Sequence, residues 1–314
     1  MTGSMRIDLK EAVKLLLKGG VVAIPTETVY GLAARLADEL AIRKIFDLKG
    51  RPSDNPLIVH LAEVNDLSKV VKRVPATFER ILKFWPGPLT VVLPVHEETV
   101  PVVARAGLPT VAVRVPDKAV TRELIRQVGP LVAPSANISG RPSATTAQHV
   151  EKDFGPEFPV LDDGPCAAGV ESTVILLEDD GWQLLRHGAV TEEDLTLLLG
   201  VAQPSKNESL ALSPGQKYRH YAPRCELVLC GERGRLESGP FEFSAVLGFD
   251  DTVTPLPLIS LGRRQDFTEN LRRLYAALRA LDDSNFLMVG VDFSFLKTGL
   301  GATLAERLTK ASKK

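Results

Sequence analysis

Apolar residues recur at helical spacing near the start of the chain. Leu9, Val13, Leu16 and Leu17 share one face, Asp8 is placed as an N-cap with Glu11 three residues on, and Gly19-Gly20 ends the run. An unbroken apolar stretch, Val21-Val-Ala-Ile24, then predicts a short buried strand stopped by Pro25. The alternation continues. Residues 38–48 predict a helix with Ala41, Ile45 and Leu48 aligned, and 56–61 a strand. Helices near 76–85, 118–128 and 145–153 interleave with strands near 89–95, 110–115 and 131–133. Thr173-Val-Ile-Leu-Leu177 and Trp182-Gln-Leu-Leu-Arg186 predict a strand pair, and Thr191 with Asp194 caps a helix that ends at Gly200. This mixture predicts a layered α/β domain over residues 1–200.

The pattern breaks at residues 201–224. Ala202-Gln-Pro-Ser-Lys-Asn-Glu-Ser209 is polar and loop-forming, and Ser213-Pro-Gly-Gln-Lys-Tyr-Arg-His-Tyr-Ala-Pro223 follows no period. We read 201–224 as a linker. Beyond it, strands at 225–230, 244–249 and 286–293 alternate with helices at 266–282 and 300–311, which predicts a second, smaller α/β domain over 225–314. A length of 314 residues and an apolar fraction of 44% suit two cored domains.

Charge and cysteines narrow the function classes. With 38 basic and 39 acidic residues the net charge is −1, which excludes a whole-surface basic field for nucleic acid and leaves room for a local patch. No stretch approaches the roughly 20 apolar residues of a membrane helix, and the start has no apolar core of a secretion signal. Three cysteines make no even disulfide framework and suit a reducing cytoplasm. Cys225 and Cys230 bracket an apolar run and read as buried strand thiols, since no Cys or His cluster completes a metal set.

Three loops carry candidate chemistry. Pro25-Thr-Glu-Thr-Val-Tyr-Gly31 leaves a buried strand, where open α/β sheets bind ligands, and it concentrates hydroxyls, a carboxylate and a phenol; spacing alone suits a polar turn equally well. Lys49-Gly-Arg-Pro-Ser-Asp-Asn-Pro56 places Lys49 and Arg51 at a helix C-terminus, where positive charge is favoured in any case. A Lys and an Arg converging on one pocket also suit a polyphosphate, with Lys as a point charge and Arg as a fork. Pro134-Ser-Ala-Asn-Ile-Ser-Gly-Arg-Pro-Ser143 can present hydroxyls and main-chain N–H groups to an anion, although such loops usually have no ligand. Arg114, inside an apolar strand, reads on its own as a solvent-facing position. Thr173 reads as an ordinary β-branched strand start, and Arg186-His-Gly188 as a strand end. There is no Walker loop, no zinc-protease His spacing and no nucleophile elbow, and Gly299-Leu-Gly301 is a weak dinucleotide signal.

Taken together, Gly20-Val-Val-Ala-Ile-Pro-Thr-Glu-Thr-Val-Tyr-Gly-Leu32, Lys49-x-Arg-Pro-x-x-Asn-Pro56, Pro134-Ser-Ala-Asn137 and the 213–223 motif resemble the threonylcarbamoyl-AMP synthase family in its long, two-domain form. The resemblance implies a fold: a YrdC-like twisted mixed-sheet domain with an open concave active site, followed by a smaller Rossmann-like α/β domain. It also implies a reaction, in which L-threonine and bicarbonate form a carbamate that attacks the α-phosphate of ATP, giving threonylcarbamoyl-AMP and pyrophosphate, with Mg²⁺. A separate transferase would pass the group on to tRNA, and the enzyme itself would meet tRNA at most weakly.

The family pattern implies residue roles. Thr28, His60 and Arg114 would hold threonine, with Ala133 and Thr173 lining the same pocket, which reverses the solvent-facing reading of Arg114. Lys49 and Arg51 would be catalytic and, with Asn55, bind triphosphate; Ser135, Asn137 and Ser143 would complete the nucleotide site, approached by Arg186 and Tyr221. No metal ligand is assigned. Tyr218, Arg219, His220 and Tyr221 would come from the linker, which would fold over the site as a lid. Competing readings are an RNA-binding module without ATP turnover, a carbamoyl-transfer domain of the hydrogenase-maturation kind, whose zinc-finger cysteines are missing here, and a regulatory threonine- or nucleotide-binding protein.

Overall fold

The computed structural model describes residues 4–204, 220–231, 236 and 243–313. They fall into two compact units, each with its own sheet. The linker read at 201–224 falls mostly outside the described residues, and so do Tyr218 and Arg219.

The first unit is built on one ten-stranded sheet. Its strands are β1 (Arg6–Ile7), β2 (Val22–Ile24), β3 (Gly31–Arg35), β4 (Ile58–His60), β5 (Leu89–Pro94), β6 (Thr110–Arg114), β7 (Leu131–Val132), β8 (Val160–Leu161), β9 (Thr173–Glu178) and β10 (Gly181–Arg186). They lie in the order β1-β8-β2-β3-β7-β4-β6-β5-β9-β10, with parallel and antiparallel pairs mixed. The helices are α1 (Leu9–Leu17), α2 (Glu39–Lys49), the short α3 (Val102–Arg105), α4 (Ala119–Val128), α5 (Ala147–Phe154) and α6 (Glu192–Leu199). Side-chain caps start several of them: Asp8 accepts from the Glu11 N–H, Asp38 from Ala41, Thr146 from His149 and Thr191 from Asp194.

Strand alternation sorts the side chains onto two faces. One face carries Ala23, Leu32, Val132, Val59, Val113, Val91 and Ile175 and belongs to the main core. The other face divides in two. Over β2, β3 and β7, the side chains of Val22, Ile24, Ala33, Leu131 and Ala133 pack against α1 and α4 through Leu16, Leu124 and Ile125. Over β4, β6, β5 and β9, the buried residues Ile58, Ala112, Val92 and Val174 form a cluster to which no helix contributes among the described residues. His60 and Arg114 lie two positions beyond Ile58 and Ala112 on the same strands, so both emerge on this half-face, and their Cα atoms are direct partners across the β4–β6 pair.

The second unit, Tyr218–Lys314 with Gly140–Ser143 and Ala168–Val170, holds a parallel sheet. Strands β11 (Glu226–Cys230), β12 (Ala245–Gly248), β13 (Leu258–Ser260) and β14 (Met288–Asp292) lie in the order β11-β14-β12-β13, with helices α7 (Phe267–Asp283) and α8 (Leu300–Ser312). Cys225, just before β11, and Cys230, its last residue, are buried free thiols, as the apolar run between them predicts. A Cβ at Gly301 would stand 2.0 Å from the Leu296 carbonyl oxygen, so close packing accounts for that glycine without a dinucleotide.

The expected fold class is borne out, a large mixed sheet followed by a unit with a parallel sheet. The differences are local. Residues Ala76–Phe84 wind as 3₁₀ turns with Phe78 and Ile81 buried, where a plain helix was expected. Strand β3, Gly-Leu-Ala-Ala-Arg, has neither alternation nor β-branched residues and is buried on both faces between β2 and β7.

The α1–α4 layer sets up a stability test. Leu124→Ala truncates a fully buried side chain, and we expect it to cost roughly 2–5 kcal/mol. The check is a lowered denaturant midpoint for the unfolding transition of the first unit.

Candidate active site

Residues from four strand ends and the end of one helix build the site in the first unit. Arg114, at the C-terminal end of β6, is 3% exposed. Its Nε donates to the Gly87 carbonyl at 3.1 Å and its Nη1 to the Thr28 hydroxyl at 2.9 Å. Its Nη2 stands 2.6 Å from Glu27 Oε1. That last pair is an ion pair by distance only, since neither Nη2 nor either Glu27 oxygen is aligned for a hydrogen bond. Arg114 therefore faces inward, as the family pattern implies and contrary to its reading in isolation.

The loop after β2 holds its hydroxyls in fixed orientations. Thr26 donates to the Val29 carbonyl at 2.6 Å, which commits its only proton. The Thr28 hydroxyl, 2.8 Å away, must then donate to Thr26, and its oxygen accepts from Arg114. Thr121 of α4 pins the loop by donating to the Pro25 carbonyl.

His60 is 3% exposed. Its Nδ1 lies 3.2 Å from the Ile58 carbonyl, an acceptor, so Nδ1 carries the proton and Nε2 is left as an acceptor. Burial, and then the nearby Arg114 charge, push its pKa down to about 3. His60 is a neutral imidazole across the ordinary pH range.

Lys49 closes the site from the end of α2. It is 2% exposed, which a solvated helix terminus would not require. Its Nζ donates to the carbonyls of Ser135 at 2.5 Å and Asn137 at 2.6 Å, and its own carbonyl accepts from the Ser139 N–H. Burial first, and Arg51 next, hold its pKa well below the usual lysine value, with Asp153 and Glu171 offsetting only in part. Gly50, left-handed at φ 60°, turns the chain after α2 into the Arg51 loop. Buried Arg51 donates to the carbonyls of Asn55 and Pro56, and Asn55 is itself buried. Ser135 is bridged to Gly31, and the Ala136 N–H donates to the Tyr30 carbonyl, so the three candidate loops are laced together.

The other expected residues are placed differently. Ala133 lies on the α1–α4 side of β7. Thr173 begins β9, and its hydroxyl donates to the Val190 carbonyl and accepts from the Val190 N–H, so its proton is committed within the protein. Its neighbour Ser172 shares a hydrogen bond with Thr90 and accepts from buried Arg186 at the end of β10. A Cβ at Gly188 would meet the Thr173 nitrogen at 2.2 Å, so that glycine is set by close approach to β9. Ser143 and Tyr221 belong to the second unit. There Tyr221, left-handed at φ 65°, stacks on Tyr275 at 5.4 Å and lies under the Arg307 guanidinium at 5.0 Å. Sequence reasoning gave no individual role to Glu27, Thr26, Thr90 or Ser172. Glu27 was visible in the first motif, but its pairing with a residue 87 positions away was not. Among the described residues no group of three or more His, Cys, Asp or Glu could hold a metal ion, and no helix is long and apolar enough to cross a membrane.

Two family models match the chain. The Sua5/YciO/YrdC model, described as telomere recombination, matches residues 14–188, and a model described as threonylcarbamoyl-AMP synthase, C-terminal domain, matches 190–313. The chain is 40% identical to the threonylcarbamoyl-AMP synthase of Bacillus subtilis, with 97% of this chain and 93% of that one covered. It is 39% identical to the threonylcarbamoyl-AMP synthase of Pyrococcus abyssi, with 97% and 94% covered. Its structure is similar to that of P. abyssi Sua5 complexed with L-threonine, at 38% identity and a TM-score of 0.89 over 99% of this chain and 97% of that one. E. coli YciO, at 22% identity and a TM-score of 0.51, shares the fold over 59% of this chain.

His60 gives the site a pH signature. Its folded pKa lies below the ordinary value of about 6.5, so the unfolded chain binds the extra proton between pH 6.5 and 3. Its contribution is present above that window and lost as pH falls through it. At pH 4.5 we expect about 2–3 kcal/mol less stability than at pH 7 from this residue. Denaturant midpoints at the two pH values should show a markedly smaller loss in His60→Gln than in the unsubstituted protein.

Proposed function

The chain belongs to the threonylcarbamoyl-AMP synthase family, and from that membership we propose that it condenses L-threonine, bicarbonate and ATP to threonylcarbamoyl-AMP, pyrophosphate and water. The observation that carries this reading is the pair of buried cations in the first unit, Arg114 and Lys49. A guanidinium with a hydroxyl and a neutral imidazole beside it suits a hydroxy amino acid. The fork takes the carboxylate, and His60 Nε2 accepts from the side-chain hydroxyl. A desolvated ammonium suits a phosphate oxyanion.

The chemistry asks little of the protein beyond placement. Threonine carbamate is the nucleophile, and its oxygen attacks the α-phosphorus of ATP in line as pyrophosphate leaves. Lys49 and Arg51, with Asn55, Ser135, Asn137 and Arg186, hold the nucleotide and neutralise charge that builds on its phosphates. Magnesium would arrive on the triphosphate and keep phosphate and water ligands. The buried free cysteines suit the reducing cytoplasm as its setting. The product would go to a separate transferase that modifies tRNA.

The first test is pyrophosphate release from ATP. We expect release only when both L-threonine and bicarbonate are present. Threonine-independent hydrolysis, or salt-dependent RNA binding with no turnover, would overturn the synthase reading. We further expect Lys49→Ala and Arg114→Ala each to lower kcat/KM by about 10²–10³, Lys49→Ala through ATP and Arg114→Ala chiefly through the KM for threonine.

Lys49 adds a proton test. An anion restores its protonated form, so triphosphate binding takes up a proton wherever Lys49 is neutral beforehand. Affinity then falls as pH rises toward the ordinary lysine value of about 10.4. Calorimetry in buffers of different ionisation enthalpy should show uptake that vanishes in Lys49→Met.

A further inference from the structure

Glu27 is out of place in a site that binds a carboxylate. Its side chain is 12% exposed and its Oε1 stands 2.6 Å from the guanidinium nitrogen Nη2 of Arg114. A carboxylate there competes with any substrate carboxylate for Arg114 and repels it. Neither Glu27 oxygen is hydrogen-bonded, nor is Arg114 Nη2, so the contact leaves three buried polar atoms unsatisfied. Such atoms are costly to leave unmade, and their lone pairs and N–H are open to a third group. The rest of Arg114 is fixed by Gly87 and Thr28, so the fork itself is held in place.

One ligand headgroup answers both charges together. In an α-amino acid, ammonium and carboxylate are separated by a single carbon, so a carboxylate and a guanidinium side by side form a receptor for the zwitterion. We infer that Glu27 receives the α-ammonium group of the amino-acid substrate and takes the proton that this group must lose before carbamate forms. The inference rests on the synthase reading above and deepens it.

The step balances. The ammonium passes one proton to the Glu27 carboxylate, leaving a neutral amine and a carboxylic acid. The amine nitrogen bonds to the bicarbonate carbon. One carbon–oxygen bond breaks, and that oxygen leaves as water with the bicarbonate hydrogen and one amine hydrogen. The product is the carbamate anion, and the proton on Glu27 returns to solvent.

The test uses the full chain, Glu27→Gln and two probes, L-threonine and 2,3-dihydroxybutyrate, the analogue in which a hydroxyl replaces the ammonium. In Glu27→Gln we expect threonine binding to weaken at least about tenfold, the size of one lost charge-assisted contact. The analogue should bind as well as before or better, because the competing carboxylate is gone, and this also reports that Arg114 is intact. Glu27→Asp should recover part of the threonine affinity. Equal loss for both probes would make Glu27 a structural prop for Arg114 and overturn the inference, as would no loss for either. Threonine- and bicarbonate-dependent pyrophosphate release by the unsubstituted protein, measured alongside, separates these outcomes from a failure of the synthase reading itself.

Discussion

A cation taken out of water must be answered by something, and the first unit holds several. Lys49, Arg114, Arg51 and Arg186 are all buried. The desolvation of each costs several kcal/mol. The protein answers chiefly with main-chain carbonyls: Ser135 and Asn137 for Lys49, Gly87 for Arg114, Asn55 and Pro56 for Arg51, Ser172 for Arg186. Carbonyl dipoles lower the cost without cancelling the charge. The depressed pKa of Lys49 expresses that remainder. The same bonds tie the ends of separate strands and loops together, so these buried cations are also the pins that shape the site. A substitution at Lys49 therefore removes a charge and loosens the 134–139 loop together.

The sheet explains why these charges gather in one place. One face is apolar across the sheet, and the second is roofed by α1 and α4 only over β2, β3 and β7. On the remaining half, the small cluster of Ile58, Ala112, Val92 and Val174 makes an apolar floor. His60 and Arg114 rise beyond it from paired positions on neighbouring parallel strands. An apolar floor keeps the local dielectric low, which raises the value of each electrostatic contact above it. Burial and the Arg114 charge drive His60 to its neutral form, and the Ile58 carbonyl sets the tautomer that leaves Nε2 an acceptor.

Much of this was legible in the chain. The caps at Asp8 and Thr191, the β9–β10 pair and the alternation in both units follow from local rules of spacing and capping. What local rules miss is set by distant partners. Strand β3 is a strand because β2 and β7 flank it, not because Gly-Leu-Ala-Ala-Arg favours one. Arg114 alone reads as solvent-facing, and only the approach of Thr28, Glu27 and Gly87 gives it an interior setting. Thr173 illustrates the opposite case. The resemblance implies that it lines the threonine pocket, but its hydroxyl is spent on Val190, which no spacing could disclose.

That spent hydroxyl is one of a set, and the set bears on mechanism. An enzyme that attacks with its own side chain needs a hydroxyl or thiol free to lose a proton and a base beside it. Here Thr26 is committed to Val29, Thr28 to Thr26 and Arg114, Thr173 to Val190, and Ser172 to Thr90 and Arg186. The Cys166 thiol is pushed up to about 12 by burial and stays protonated. His60, the imidazole of the site, donates Nδ1–H to a main-chain carbonyl and faces Arg114 across the strand pair, not a hydroxyl. With these hydroxyls engaged and this thiol protonated, the fold is suited to hold two reactants and neutralise charge while one attacks the other. A substrate that brings its own nucleophile, as a carbamate does, is the kind that such a site can serve.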